Sequence, residues 1–237
     1  MQIAVGFDFD HTLGLDNKLE RTVALQMAAG LCAKRGITFD AAAAGAKLDE
    51  EIVMVRRGEV PVETAIEGWL QAFAGTGDEN AIEAGRFRDE VMARAPEFVR
   101  ALPGARPLLD ARDALGVRYA ILSNGWSPLQ EEKARLIGFE APVYVSERIG
   151  AWKPSTPAFE SLVRLFGLPA ADVWYVGDDP EVDCAGAQAA GLTAVWFDAE
   201  ARAYPAGVAQ PEYTIHALEE LPGLLQGRLG GAAKTPQ

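Results

Sequence analysis

A chain of 237 residues with 34 acidic and 22 basic side chains carries a formal charge of −12, which excludes a sequence-independent nucleic-acid binder, since that activity needs a basic face. Apolar content of 49% and charged content of 24% are ordinary for a soluble globular protein, and the length suffices for a full α/β core or a core with a smaller insert. The acidity leaves an anionic small substrate open, because a local cation reverses the field of a site. Cys32 and Cys184 stand far apart with no ligand-spaced cluster around them. The expectation is two reduced structural thiols in a cytoplasmic protein, with neither disulfide nor zinc site. No basic n-region or long apolar segment precedes the first strand, so neither secretion nor membrane insertion is expected.

The first apolar run, residues 3–7, reads as a buried strand. From about residue 16 to 99 the pattern is helical. Leu19, Val23, Leu25, Met27 and Leu31 recur at roughly helical intervals up to Gly36, and further helices are expected over 41–57, 62–74 and 79–95, with Gly58, Pro61, Gly75 and Gly77 as breaks. No strand is expected in that block. From Leu102 onward the elements alternate: helix 105–115, strand 117–122, helix 128–137 and strand 143–146, then helix 156–166 with Pro157 in its first turn. Strand 173–176, helix 181–190, strand 193–197, strand 213–215 and a short helix from Leu218 complete the series. Such alternation implies right-handed crossovers and a Rossmann-like, doubly wound parallel sheet with helices on both faces. The helical block interrupts it after the first strand and reads as an inserted cap. The expected division is a catalytic core of residues 1–14 and 101–226, a helical cap of 15–100, and a frayed Gly- and Ala-rich tail of 227–237.

Ligands of a doubly wound sheet bind beyond the carboxyl ends of its strands, near the point where strand order reverses. Three apolar runs deliver polar residues there: 3–7 into Asp8 and Asp10, 119–122 into Ser123-Asn124-Gly125, and 173–176 into Gly177-Asp178-Asp179. Lys153, in Ala151-Trp152-Lys153-Pro154, adds an ammonium ahead of a helix. Carboxylates at the end of a buried strand are costly unless a cation or a network of donors balances them. This collection of carboxylates, hydroxyl, amide and ammonium suits a hard, oxygen-liganded cation such as Mg²⁺ beside a phosphate. With no His or Cys cluster it suits a transition metal poorly.

These residues resemble the four ordered motifs of the haloacid dehalogenase-like hydrolase superfamily: Asp8-Phe9-Asp10-His11-Thr12, Ser123-Asn124-Gly125, Lys153-Pro154 and Gly177-Asp178-Asp179-Pro180-Glu181-Val182-Asp183. The helical insert between the first two motifs is similar to the cap of that family's first subgroup, and Ser123-Asn124-Gly125-Trp126 with Leu129-Gln130 and Lys153-Pro154 is similar to its phosphatase branch. The resemblance implies an Mg²⁺-dependent phosphatase acting on a small phosphomonoester such as a nucleotide or sugar phosphate. It implies Asp8 as the nucleophile that forms an aspartyl-phosphate, Asp10 as general acid and base, and Lys153 as the cation that neutralises nucleophile and transferring group. Ser123, with Asn124 and Gly125, would hold the phosphate, and Asp8, Asp178 and Asp10 (through its carbonyl) would share the ion. Asp179 and Asp183 would brace the loop from outside or cap the helix beginning near Pro180. His11, Trp126 and the cations Lys18, Arg21, Arg56 and Arg57 are candidates for meeting substrate, whereas His216 and Trp69 read as structural. The expected partner is a small phosphate ester, with no nucleic-acid polymer and no membrane, and the protein a monomer or homodimer. A phosphotransferase or mutase of the same architecture would share every motif. A 2-haloacid dehalogenase is disfavoured by Asp10, the second carboxylate that branch usually lacks, and a non-catalytic binding module by the presence of every motif residue.

Overall fold

The computed structural model describes residues 2–231. Among them the strands are, in chain order, β1 (Ala4–Phe7), β2 (Gly14–Leu15), β3 (Arg100–Ala101), β4 (Arg118–Ser123), β5 (Val143–Val145), β6 (Val173–Gly177), β7 (Thr193–Phe197) and β8 (Tyr213–Ile215). Six form one parallel sheet in the order β5-β4-β1-β6-β7-β8. Strand order therefore reverses at β1, whose Phe7 pairs with Ile121 on one side and Val176 on the other. All four residues of β1 are buried, as a central parallel strand requires.

The side-chain period of two divides the sheet's apolar residues between its faces. Val5, Phe7, Tyr119, Ile121, Trp174 and Val176 belong to one cluster, and Ala4, Ala120, Leu122, Val173 and Tyr175 to the other. The first cluster runs on through Phe9, Leu13 and Leu19 into the helices that follow β2. Those are α1 (Leu19–Arg35), α2 (Ala41–Arg56), α3 (Val62–Ala74) and α4 (Glu79–Phe98). α1 stops at Gly36, which takes the left-handed conformation at φ 66°, and α2 starts at Asp40, whose side chain accepts from the N–H groups of Ala42 and Ala43. The two connections into this insert pair with each other, β2 antiparallel to β3.

The remaining helices cover the sheet: α5 (Ala105–Asp110), α6 (Arg112–Leu115), α7 (Leu129–Leu136), α8 (Ser146–Ile149), α9 (Thr156–Phe166), α10 (Gly186–Ala189) and α11 (Leu221–Gly231). Several boundaries differ from the sequence reading. α4 runs on past Pro96 to Phe98, the 105–115 helix divides into α5 and α6, and Ser146 opens a helical turn instead of ending a strand. The helix expected from residue 181 begins as a π-type turn over Pro180–Ala185, with the N–H groups of Asp183 and Cys184 both directed to the carbonyl of Asp179. α11 continues to Gly231, five residues into the tail expected to fray, because Leu221 and Leu225 anchor its face in the core; the rest of that tail, 232–237, lies outside the described residues. No described helix is long and apolar enough to cross a membrane.

Candidate active site

Asp8 follows directly on β1, and its N–H still bonds the carbonyl of Val176 at 2.9 Å. The residue is therefore held as the last link of the strand, with its side chain at the carboxyl edge. Lys153 meets it there. This ammonium is nearly inaccessible, at 3% relative exposure, and directs its Nζ to Asp8 Oδ1 (2.8 Å), Asp183 Oδ1 (2.7 Å) and the Tyr175 hydroxyl (2.9 Å). Tyr175 in turn donates to the carbonyl of Leu122 at 2.7 Å. All three protons of the ammonium are thus used, which fixes its position and offsets the cost of burying it.

Asp8, Asp178 and Asp183 bring carboxylate oxygens within 4.8 Å of one another. Burial, reinforced by the charge of Asp8, pushes Asp178 up to about 7. Asp183 is likewise raised, by burial above all, with Lys153 opposing and Asp8 and Asp178 adding. Three crowded carboxylates, with Asp178 and Asp183 resisting ionisation and oxygen as the sole donor type, fit a hard divalent cation.

The third carboxylate of this cluster is that of Asp183, whereas Asp10, expected to reach the ion through its carbonyl, sends its side chain elsewhere. The backbone turns sharply after Asp10, with His11 at φ 62° and an isolated bridge from Asp10 to Gly14. The Asp10 carboxylate is carried toward α7 instead. There it accepts from Lys133 Nζ at 3.1 and 3.2 Å and from Gln130 Nε2 at 3.4 Å. Burial would raise its pKa, but Lys133 and Arg56 outweigh that and hold it below the ordinary carboxylate value. Lys133 also bonds Asp16 at 2.6 Å, just beyond β2. Asp183, expected as an outer support, reaches the cluster because the π-type turn folds it back over the strand end, where its Oδ2 accepts from the N–H of Asp179 at 3.1 Å.

Ser123 is buried at the end of β4 and lines the cleft. Asn124 serves as a clasp: its Oδ1 accepts from Ser146 Oγ (2.7 Å) and the N–H of Lys153 (2.9 Å), and its Nδ2 donates to the carbonyl of Lys153 (2.9 Å). It thereby fixes the loop carrying Lys153 against β4. Gly125, at φ 147°, leaves room for Gln130, which a β-carbon there would strike. Asp179 caps the π-type turn, accepting from the N–H groups of Glu181 and Val182 at 2.9 Å each.

Lys133, Tyr175 and Asp16 escaped the sequence reading. A lysine on a helix is ordinarily solvated, yet Lys133 shares the buried face of α7 with Leu129, Gln130 and Ala134. A charge on the apolar stripe was the available signal. Nothing in the alternation of β6 marks Tyr175, because both faces of that strand are buried.

The cleft above these groups has a volume of about 1070 Å³. Its floor comprises Asp8, Ser123, Lys153 and Asp178, while Val53, Arg56 and Arg57 reach it from α2 and the residue that follows. Glu20 braces this roof: its Oε1 accepts from Trp126 Nε1 at 2.7 Å and its Oε2 lies 3.7 Å from Arg56.

A family model described as haloacid dehalogenase-like hydrolase matches residues 4–191. The chain belongs to that family. A phosphoserine phosphatase of Thermus thermophilus is 31% identical over 152 residues, 60% of this chain and 61% of the relative, so less than two thirds of that protein is spanned. Among solved structures, a HAD phosphatase from Thermococcus onnurineus matches with a TM-score of 0.71 at 24% identity, covering 96% of this chain and 99% of its own. A 2-haloacid dehalogenase from Pseudomonas syringae gives the same TM-score and identity, covering 97% and 100%. At that identity the two structures speak for the family fold alone, and their different reactions leave the chemistry to the site.

Proposed function

We propose that the protein is an Mg²⁺-dependent phosphatase that hydrolyses a small phosphomonoester through an aspartyl-phosphate on Asp8, with residues 15–100 as a closing cap. The observation that carries this reading is the buried ammonium of Lys153 shared between Asp8 and Asp183, beside a cluster of three carboxylates. Asp8 already accepts a hydrogen bond from the Lys153 ammonium, and it is fixed at a strand end and open to the cleft, as a nucleophile must be. Lys153 lies where negative charge grows as the phosphoryl group transfers, and its fixed position needs no reorganisation. Ser123, on the neighbouring strand end, is suited to hold a phosphoryl oxygen. Asp8, Asp178 and Asp183 would hold Mg²⁺, which when bound neutralises phosphate charge and orients the group for in-line attack. Asp10 lines the same cleft as Asp8 and, held there by Lys133 and Gln130, would serve the leaving oxygen and then the hydrolytic water. The relatives named as phosphatases support the reaction class, and two buried free thiols suit the cytoplasm.

Phosphate release from a panel of phosphomonoesters, with and without Mg²⁺ or a chelator, tests the reading. Turnover should require the ion, and Asp8→Asn should abolish it. An unchanged rate in that variant would remove Asp8 as nucleophile.

A further inference from the structure

The cleft is unevenly charged. Its carboxylates cluster on the floor, and the three protons of Lys153 are taken up by Asp8, Asp183 and Tyr175. The cations of the roof are differently placed. Arg56 keeps 39% of its side chain exposed even with Glu20 beside it, and Glu20 is itself fixed by Trp126. Arg57 is exposed, lines the same cleft, and has no carboxylate partner among the described residues. The other two candidates from the sequence do not compete. Arg21 is bound to Asp49 at 3.1 Å, and Lys18 is not in the cleft lining.

The position of the pair is set from below. Gly58, at φ 74°, follows Arg57 directly, and a β-carbon there would collide with the indole of Trp152, the neighbour of Lys153. This close approach of roof and floor holds the end of α2 over the cleft. Arg56 and Arg57 line the cleft from the end of α2, whereas Asp8, Ser123, Lys153 and Asp178 line it from the strand ends, so the pair faces the part of a substrate that projects away from the transferring phosphoryl group.

We infer that Arg56 and Arg57 form a subsite for a second anionic group, carboxylate or phosphate, carried by the leaving-group part of the substrate. The inference rests on the phosphomonoester reading and narrows its substrate class. A cleft lined by six carboxylates repels a substrate with extra negative charge unless fixed cations meet that charge at its far end. Guanidinium groups bind carboxylate and phosphate oxygens in paired, charge-assisted hydrogen bonds, so either anion suits them. Val53 and Trp152 in the lining accommodate the carbon chain between the two charges.

Three esters of one chain length separate the terms: n-propyl phosphate, 3-(phosphonooxy)propanoate and 1,3-propanediol bisphosphate. Both esters with a distal anion should exceed propyl phosphate in kcat/KM by about tenfold or more, as one charge-assisted pair supplies, mainly through KM. Arg57→Gln and Arg56→Gln should each shrink that ratio, with Arg57→Lys retaining part of it, and a larger loss for the bisphosphate or the carboxylate tells which anion the pair prefers. Calorimetric binding of the same esters to the Asp8→Asn protein reads the subsite without turnover. Equal kcat/KM for all three esters, or a ratio untouched by both Gln substitutions, overturns the subsite and leaves the phosphatase reading intact. Preferential binding of the distal anions with no hydrolysis by the native protein would instead sink the phosphatase reading and keep the subsite.

Discussion

Two buried lysines organise this molecule, and they differ in what they join. Lys153 links Asp8, Asp183 and Tyr175, all at the carboxyl edge of the sheet. Lys133 links Asp10 to Asp16, so its two ion pairs straddle the point where the chain leaves β2 for the helical insert. The first network stays within the core and is set by strand register. The second ties the position of one carboxylate to the geometry of the connection that carries α1–α4. On the proposed mechanism, Asp8 as nucleophile would need a constant environment, whereas Asp10, serving two successive steps, would gain from a tether anchored at the base of the insert.

Removing Lys153 is expected to have the larger effect. Lys153→Met leaves Asp8 and Asp183 without their ammonium, and stripping one partner from a buried pair costs about 3–5 kcal/mol. Urea unfolding near neutral pH should show a loss of that order, and phosphate release should fall by at least about a thousandfold as the fixed charge disappears. A stable, active Lys153→Met protein would mean that the first network is dispensable.

Lys133→Met should cost about 3 kcal/mol by the same reasoning, but its kinetic signature should differ. On the proposed mechanism, Asp10 displaced from its tether would lose its position toward the leaving oxygen, so alkyl phosphates should suffer more than aryl phosphates, which need little proton assistance. The double variant Lys133→Met/Asp16→Asn should recover part of the stability by removing one of the two orphaned carboxylates. Equal losses for alkyl and aryl esters would reduce Lys133 to a structural role and erase the contrast between the two lysines.

These networks also show what a linear reading can resolve. β1, β4 and β6 were legible because continuous apolar runs ending in polar residues report burial directly, and α1, α3 and α9 because glycine or proline marks where they end or begin. Asp8, Lys153 and Asp178 meet as their motifs suggest. The approach of the Asp183 carboxylate to Asp8 and Asp178, and the turn of the Asp10 side chain toward Lys133, were not legible, since they depend on a π-type turn after 179 and a left-handed residue at 11. Backbone deviations of one or two residues redirect a carboxylate by several ångströms without changing any composition or period. Lys133 was hidden for a related reason: its partners lie more than a hundred residues away in sequence, at Asp10 and Asp16.

The smallest effect concerns a third, more exposed tie between insert and core. Arg88 on α4 bonds Glu147 on α8 at 2.5 and 3.1 Å, reaches the carbonyl of Ser127 at 2.9 Å, and lies 4.9 Å over the ring of Trp126. It also pairs with Glu63 on α3. Partial burial would raise the pKa of Glu147, but Arg88 and the N–H of Ser127 outweigh it and hold the group below its usual value of 4.5. A carboxylate depressed in the folded state contributes stability that is complete above its unfolded pKa and fades as pH falls through the lower folded value. Solvent screens this pair, whose Glu147 side chain is 37% exposed, so the contribution is at most about 1 kcal/mol. Glu147→Gln should therefore lower the Tm by roughly 2 °C near neutral pH. That difference should shrink in high salt and vanish well below the ordinary glutamate range. A gap that persists undiminished in acid would show that the contact works through packing against Trp126 and not through charge, leaving the buried lysine at α7 as the electrostatic link between insert and core.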